Sequence, residues 1–258
     1  MAVFDVLQRQ LVYFPMRGPV RSARRYAESA RDITLTTDDG LTLGAWWFPA
    51  SGPAGLDRAT AVLFTPGNGG HREGRAPLFL TLARHGFSVL GLDYRGYGEN
   101  AGTPSEAGLA ADARAAVAWI RGAGYGPERT LYLGESLGTG VAARLSTTHP
   151  PAGLLLRSPF PSLLDVGRHL YRGLPLERLI GDRFDTSTHL ADCPVPVSVL
   201  RGERDGIVPS ALSAQVAHGI PHLLEDIEVP GADHNDAIWY GEFVAEALDR
   251  LAAATTAG

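Results

Sequence analysis

Residues 130–145 read Thr130-Leu131-Tyr132-Leu133-Gly134-Glu135-Ser136-Leu137-Gly138-Thr139-Gly140-Val141-Ala142-Ala143-Arg144-Leu145. The first four are a strand signal, and Val141 to Leu145 reads as a helix. Between them lies Gly134-Glu135-Ser136-Leu137-Gly138, a G-x-S-x-G pentapeptide. A turn this sharp needs glycine at both flanks, because a side chain there would collide with strand or helix backbone. The turn lifts the serine hydroxyl clear of a sheet, at the head of a helix whose dipole favours developing negative charge. Ser136 is therefore the candidate nucleophile.

Outward from this unit, strands and helices alternate. Upstream, Ile33 to Thr37 and Leu41 to Phe48 read as a hairpin across the Asp38-Asp39-Gly40 turn. Ala61 to Phe64 is a strand and Ala76 to His85 a helix; Val89 to Leu92 is a strand and Glu106 to Arg121 a helix. Downstream come strand Leu154 to Leu156, strand Val197 to Leu200, a helix over Ala211 to His218, strand Leu224 to Val229 and a last helix from Asp236 to Leu251. Such alternation predicts an α/β fold, with a mostly parallel central sheet covered by helices on both faces and the hairpin as its antiparallel edge. One domain over residues 1–258 is the simplest account. Residues 159–194 break the alternation, with two helical patterns and no strand. An insertion between sheet strands must cover the strand ends, so this stretch is expected to be a small helical cap that excludes water.

A neutral serine needs a base, and the base needs an orienting carboxylate. In a parallel sheet these groups belong in loops at the carboxyl ends of strands. Of the aspartates between Ser136 and the last histidine, only Asp205 follows a core strand directly; Glu203 is the fallback acid. His218 and His222 flank a turn at the wrong end of a strand and read as surface residues. His234 lies just beyond that strand and is the candidate base. An oxyanion hole requires two backbone N–H groups. One is expected from Leu137, after the nucleophile. The second is expected from Asn68, or else Gly69, in the loop Thr65-Pro66-Gly67-Asn68-Gly69-Gly70-His71.

Composition narrows the partners. The net charge is −5 and the pI about 5.9, which gives no electrostatic case for nucleic acid. Every basic residue outside histidine is arginine, and Cys193 is the sole cysteine, so neither an intrachain disulfide nor a cysteine metal cluster is expected. No apolar run reaches membrane-spanning length, and residues 1–20 lack a secretory signal pattern. Phe4, Leu7, Leu11 and Phe14 recur on one helical face, and arginines follow at 17, 21, 24, 25 and 31. This predicts a helix packed on the domain; the sharper alternative is peripheral membrane contact through residues 1–31. A cytoplasmic location is expected.

These residues resemble the α/β-hydrolase serine hydrolases, specifically the small-cap branch with the depalmitoylating and lysophospholipid-cleaving α/β-hydrolase domain-containing proteins. The resemblance runs from about Gln10 to the last helix. Its most specific block is Asp93-Tyr94-Arg95-Gly96-Tyr97-Gly98, where Tyr94 and Arg95 are expected to brace the loop. Gly134 to Gly140, Ser158-Pro159-Phe160 and Gly231 to Asp236 also fit. The resemblance implies the α/β-hydrolase fold, with Ser136, Asp205 and His234 as nucleophile, acid and base. It departs at Pro66, where the family's oxyanion loop usually has histidine, and in the membrane span that many members carry near their N-terminus.

The expected function is hydrolysis of a carboxylic ester or thioester of a small-molecule acyl substrate through an acyl-enzyme, with no metal or organic cofactor. H-E-x-x-H is absent, which speaks against a zinc hydrolase. A peptidase or amidase is the rival within hydrolase chemistry, although such relatives usually carry a large gating domain. A haloalkane dehalogenase would need aspartate at position 136. A non-catalytic binding protein on the same fold is the rival from another class. Arginines 168, 172, 178 and 183, with Leu163, Leu164, Leu170, Leu174 and Leu176, read mainly as a solvated cap, with recognition of an anionic head group as the sharper alternative. Oligomeric state and acyl chain length are left open.

Overall fold

The computed structural model describes residues 12–171, 176–179 and 181–256. Its first half runs β1 (Phe14–Pro15), β2 (Arg31–Thr36), β3 (Thr42–Phe48), β4 (Thr60–Thr65), β5 (Gly69–Gly70), α1 (Ala76–Arg84), β6 (Phe87–Leu92) and α2 (Glu106–Gly122). Then come β7 (Thr130–Glu135), α3 (Leu137–Ser146), β8 (Gly153–Arg157), α4 (Leu163–Leu170), α5 (Leu176–Leu179) and α6 (Thr186–Leu190). The chain continues through β9 (Val197–Gly202), α7 (Ser210–His218), β10 (Leu223–Val229) and α8 (Glu242–Thr256).

The main sheet has the order β10-β9-β8-β7-β4-β6-β3-β2. From β10 to β6 every neighbouring pair is parallel. The β2–β3 hairpin closes one edge, antiparallel within itself and to β6. Strand alternation splits the core into two apolar layers. In β4, Ala61 and Leu63 join one layer, and Val62 and Phe64 the other. Helices α2 and α3 complete the first through Leu109, Ala116, Val141 and Ala142. Helices α1 and α8 complete the second through Phe79, Leu82, Leu248 and Leu251. Phe79 sits over Gly91, where a Cβ would lie 2.4 Å from its ring. It also meets Phe64 edge-on at 5.2 Å between centroids. Burying one such ring contributes about 1.5–3 kcal/mol.

The structure differs from the sequence reading at three places. Helix α8 begins at Glu242 rather than Asp236, after a 3-10 turn over Ala237–Tyr240 and an extended Gly241. The turn holds Trp239 in the core while its indole N–H donates to the Asp233 carbonyl at 2.7 Å. Among the described residues of 159–194 there are three short helices, α4 to α6, where two helical patterns were expected. Phe14 is not helical. It lies in β1, paired in parallel with Gly69 of β5, because its N–H donates to Asn68 Oδ1 at 3.2 Å instead of to a carbonyl one turn back. Phe4, Leu7 and Leu11 lie outside the described residues. Among the described residues no helix is long and apolar enough to cross a membrane.

Candidate active site

Ser136 joins β7 to α3 with φ 51° and ψ −118°, a conformation that side chains disfavour. The flanking glycines are required by contact. A Cβ on Gly138 would lie 1.9 Å from the Thr65 carbonyl oxygen, and one on Gly134 would lie 2.8 Å from the Thr139 Cα. The Ser136 amide donates to the Arg157 carbonyl at 2.9 Å, which fixes the elbow to β8. The Leu137 amide, in the first turn of α3, has no intrahelical acceptor.

The loops after β9 and β10 bring Asp205 and His234 together. His234 Nδ1 is 2.7 Å from Asp205 Oδ2, and both residues are buried. The same carboxylate oxygen accepts from Ser158 Oγ at 2.8 Å. The other accepts from the amides of Ile207 at 3.0 Å and Val208 at 2.7 Å. Burial alone would raise the Asp205 carboxyl, but His234, the Val208 amide and the Ser158 hydroxyl outweigh it and hold it below the ordinary carboxylate value. Ser158 reaches Asp205 from a left-handed position just beyond β8, φ 52°. Sequence reading placed Ser158 in a block that fits the family but gave it no role; a serine at the carboxyl end of a core strand was the available signal. Ser158→Ala is expected to lower any hydrolytic rate about tenfold, the worth of one hydrogen bond to an ionised group. Wild-type and variant kcat, compared at matched folded fraction, check this.

Glu203 is engaged elsewhere, accepting from the Gly231 amide at 2.7 Å. His218 and His222 are exposed. Tyr94 is fully buried, and Arg95 pairs with Asp39 at 2.7 Å and Asp112 at 2.7 Å, so both brace the loop.

The loop after β4 is held through Asn68. Its side-chain oxygen accepts from Tyr97 Oη at 2.8 Å and from the Phe14 amide, and its Nδ2 donates to the Val12 carbonyl. This clamp supports the loop that carries Pro66 in place of histidine. Among the described residues the Asn68 backbone N–H has no backbone acceptor outside regular elements.

Glu135, the variable residue of the pentapeptide beside the serine, is buried between two guanidinium groups. Its Oε1 accepts from Arg75 Nη2 at 2.6 Å and from the Gly67 amide at 3.3 Å. Its Oε2 pairs with Arg157 Nη2 at 3.1 Å. Arg157 in turn donates to the His234 carbonyl at 2.9 Å and lies over the Trp239 ring. Burial opposes ionisation, yet the charges of Arg157 and Arg75 prevail and bring Glu135 down to about 2. One carboxylate thus ties the serine elbow, the Asn68 loop and the His234 loop together. Sequence reading missed this network, whose signal was a charge inside an otherwise apolar strand end.

Ser136, His234, Leu137 and Asn68 line one cavity of about 470 Å³. Among the described residues no hydrogen bond joins Ser136 to His234. Helix α4 roofs the cavity with Leu163, Val166 and Leu170, at spacings that put them on one helix face. Of the arginines in residues 159–194, Arg168 is exposed and paired with Asp165 and Glu177, and Arg183 is exposed. Arg172, Leu174 and the side chain of Arg178 lie outside the described residues.

The family described as "Serine aminopeptidase, S33" matches residues 57–172. The uncharacterized protein Rv2307c of Mycobacterium tuberculosis is 45% identical over 247 residues, covering 95% of this chain and 86% of its own length. The lysophosphatidylserine lipase ABHD12 of Mus musculus is 31% identical over 216 residues, covering 70% of this chain and 54% of its own. The Pyrococcus furiosus esterase Pf2001 has the same fold, with TM-score 0.72 at 22% identity over 93% of this chain and 98% of that one. Kinship of this extent, on a sheet of this order, makes the chain a member of the α/β-hydrolase superfamily, with esterase- and lipase-like relatives.

Proposed function

We propose that the protein is a serine hydrolase that cleaves carboxylic esters or thioesters. The observation that carries this reading is a strained serine at a helix head, facing the same cavity as a histidine whose far nitrogen is held by a buried aspartate. Ser136 Oγ attacks the acyl carbon while His234 takes its proton. The carbonyl oxygen becomes an oxyanion, received by the N–H groups of Leu137 and Asn68. His234 gives the proton to the leaving oxygen or sulfur, and the alcohol or thiol departs. Water then attacks the acyl-enzyme, again through His234, and releases the acid and Ser136. Asp205 keeps the Nδ1–H tautomer and stabilises the imidazolium. The apolar face of α4 receives the acyl chain.

An amidase reading is favoured by one observation, the match to a family described as a serine aminopeptidase. The two are separated by p-nitrophenyl esters from acetyl to palmitoyl, run beside aminoacyl p-nitroanilides. Ester turnover with fluorophosphonate labelling of Ser136 is the expected result. Turnover of the anilides alone would favour the amidase. A folded protein that turns over neither and takes no label would sink the hydrolase reading.

A further inference from the structure

Asp205 holds the His234 ring at one nitrogen, but an imidazole is aimed by its backbone as well. The His234 carbonyl accepts from Arg157 at 2.9 Å. The His234 N–H donates to Asp233 Oδ1 at 2.7 Å. That same oxygen accepts from the Gly206 N–H at 3.0 Å, across 27 residues of chain. One carboxylate oxygen thus receives two amides, one from the base itself and one from the residue after the acid. The Gly206 and His234 amides hold the Asp233 carboxyl below its ordinary value.

Gly206 opens the stretch that orients Asp205. The next two amides, of Ile207 and Val208, donate to Asp205 Oδ1, while Asp205 Oδ2 meets His234. Two further bonds join these loops, and both reach the acid loop ahead of Asp205. The Arg204 N–H donates to the Ala232 carbonyl at 2.9 Å, and the Gly231 N–H to Glu203 Oε2 at 2.7 Å. Among the described residues, Asp233 alone in the base loop hydrogen-bonds the Gly206–Val208 backbone. Asp233 is itself anchored, since its carbonyl accepts from the indole N–H of buried Trp239 and its N–H donates to Asp236 Oδ2, both at 2.7 Å. Asp233 and Gly206 are exposed, so water would satisfy both groups if their bond opened. Such a bond adds little to stability. What it sets is the register of one loop against the other.

We propose that Asp233 is a positioning residue for the Asp205–His234 pair. It locks the backbone that orients the acid to the backbone of the base, and so fixes the line from Asp205 through the imidazole to Ser136. This rests on the serine-hydrolase reading.

The test compares wild type, Asp233→Ala and Asp233→Asn by kcat and KM for p-nitrophenyl butyrate, by denaturant midpoint, and by the solvent exchange of the His234 Nδ1 proton in NMR spectra. Asp233→Ala is expected to lower kcat by roughly ten- to a hundredfold with KM within about twofold, as a misplaced catalytic group does. Its midpoint should stay close to that of wild type, and its Nδ1 proton should exchange faster. Asp233→Asn keeps the acceptor and removes the charge, so it should recover most of kcat and the slow exchange. An Asn variant as slow as the Ala variant would mean that charge matters and the amide bonds do not, and would overturn the proposal. So would unchanged kcat and exchange in Asp233→Ala. A midpoint that falls along with kcat, or a variant that fails to fold, would make Asp233 a folding residue and overturn it too. A wild type that neither turns over esters nor takes a fluorophosphonate label would remove the serine-hydrolase reading and this role with it. Proton exchange needs no turnover, so it keeps the two failures apart.

Discussion

Ser136→Ala is expected to lower ester hydrolysis by roughly 10⁴- to 10⁶-fold, the loss seen when a nucleophile acting in concert with its base is removed. The cavity, the Leu137 and Asn68 amides and the Asp205–His234 pair would all remain, so substrate binding should persist while acylation stops. A single-turnover assay for the acyl-enzyme, with fluorophosphonate labelling, reads this directly. Labelling that survives in the variant would place the nucleophile elsewhere. The backbone adds a second expectation. At φ 51° and ψ −118° a side chain is strained, and glycine is not. Ser136→Gly should therefore be as inactive as Ser136→Ala but more stable than it, by about 1 kcal/mol out of the usual 1–3 for such strain. Denaturant midpoints of the two inactive variants make the comparison. Equal midpoints would show that the elbow stores no strain.

Glu135→Gln is expected to destabilise the fold by about 3–5 kcal/mol, because it leaves two buried guanidinium groups without their shared anion. For a domain of this size that is a fall in thermal midpoint on the order of 10 °C. The amide could still accept from the Gly67 N–H, so the loss isolates the charge. The acid limb of the stability curve should change with it. The folded Glu135 carboxyl lies at about 2, below its ordinary 4.5. A depressed carboxyl contributes stability that is fully present above the unfolded value and is lost as pH falls towards the folded one. Wild type should therefore lose this contribution between about pH 4.5 and 2, and Glu135→Gln should lack that part of the slope. Parallel acid curves for the two proteins would mean that Glu135 is not ionised in the fold.

The sheet was legible because its period is local. Ala61 to Phe64 and Leu154 to Leu156 are apolar at every position, as strands covered on both faces must be. Asp205 and His234 could be singled out because a parallel sheet gathers the carboxyl ends of its strands, and that topology sets aside His218 and His222; Glu203, at the same strand end and kept as the fallback acid, accepts from the Gly231 amide instead. What escaped has no local period. Phe14 fits a helical stripe in sequence, but β1 is specified by Asn68 and Gly69, more than fifty residues away. Glu135 fills a position that the pentapeptide leaves open, so the motif is silent about its two arginines. Arg75 reads as an ordinary residue before α1, and its bond to Glu135 spans 60 residues.

The hydrogen bond between Tyr13 and Asp182 links positions 169 residues apart, and the Asn68 clamp on Val12 spans 56. Contacts of that separation contribute only after the intervening chain is in place, since loop closure must come first. The wall that β1 lends to the cavity is thus expected to arrive late in folding, onto a sheet that already exists. By the same reasoning it is among the first parts to open on heating. Turnover should then fail at a lower temperature than the one at which the sheet itself melts.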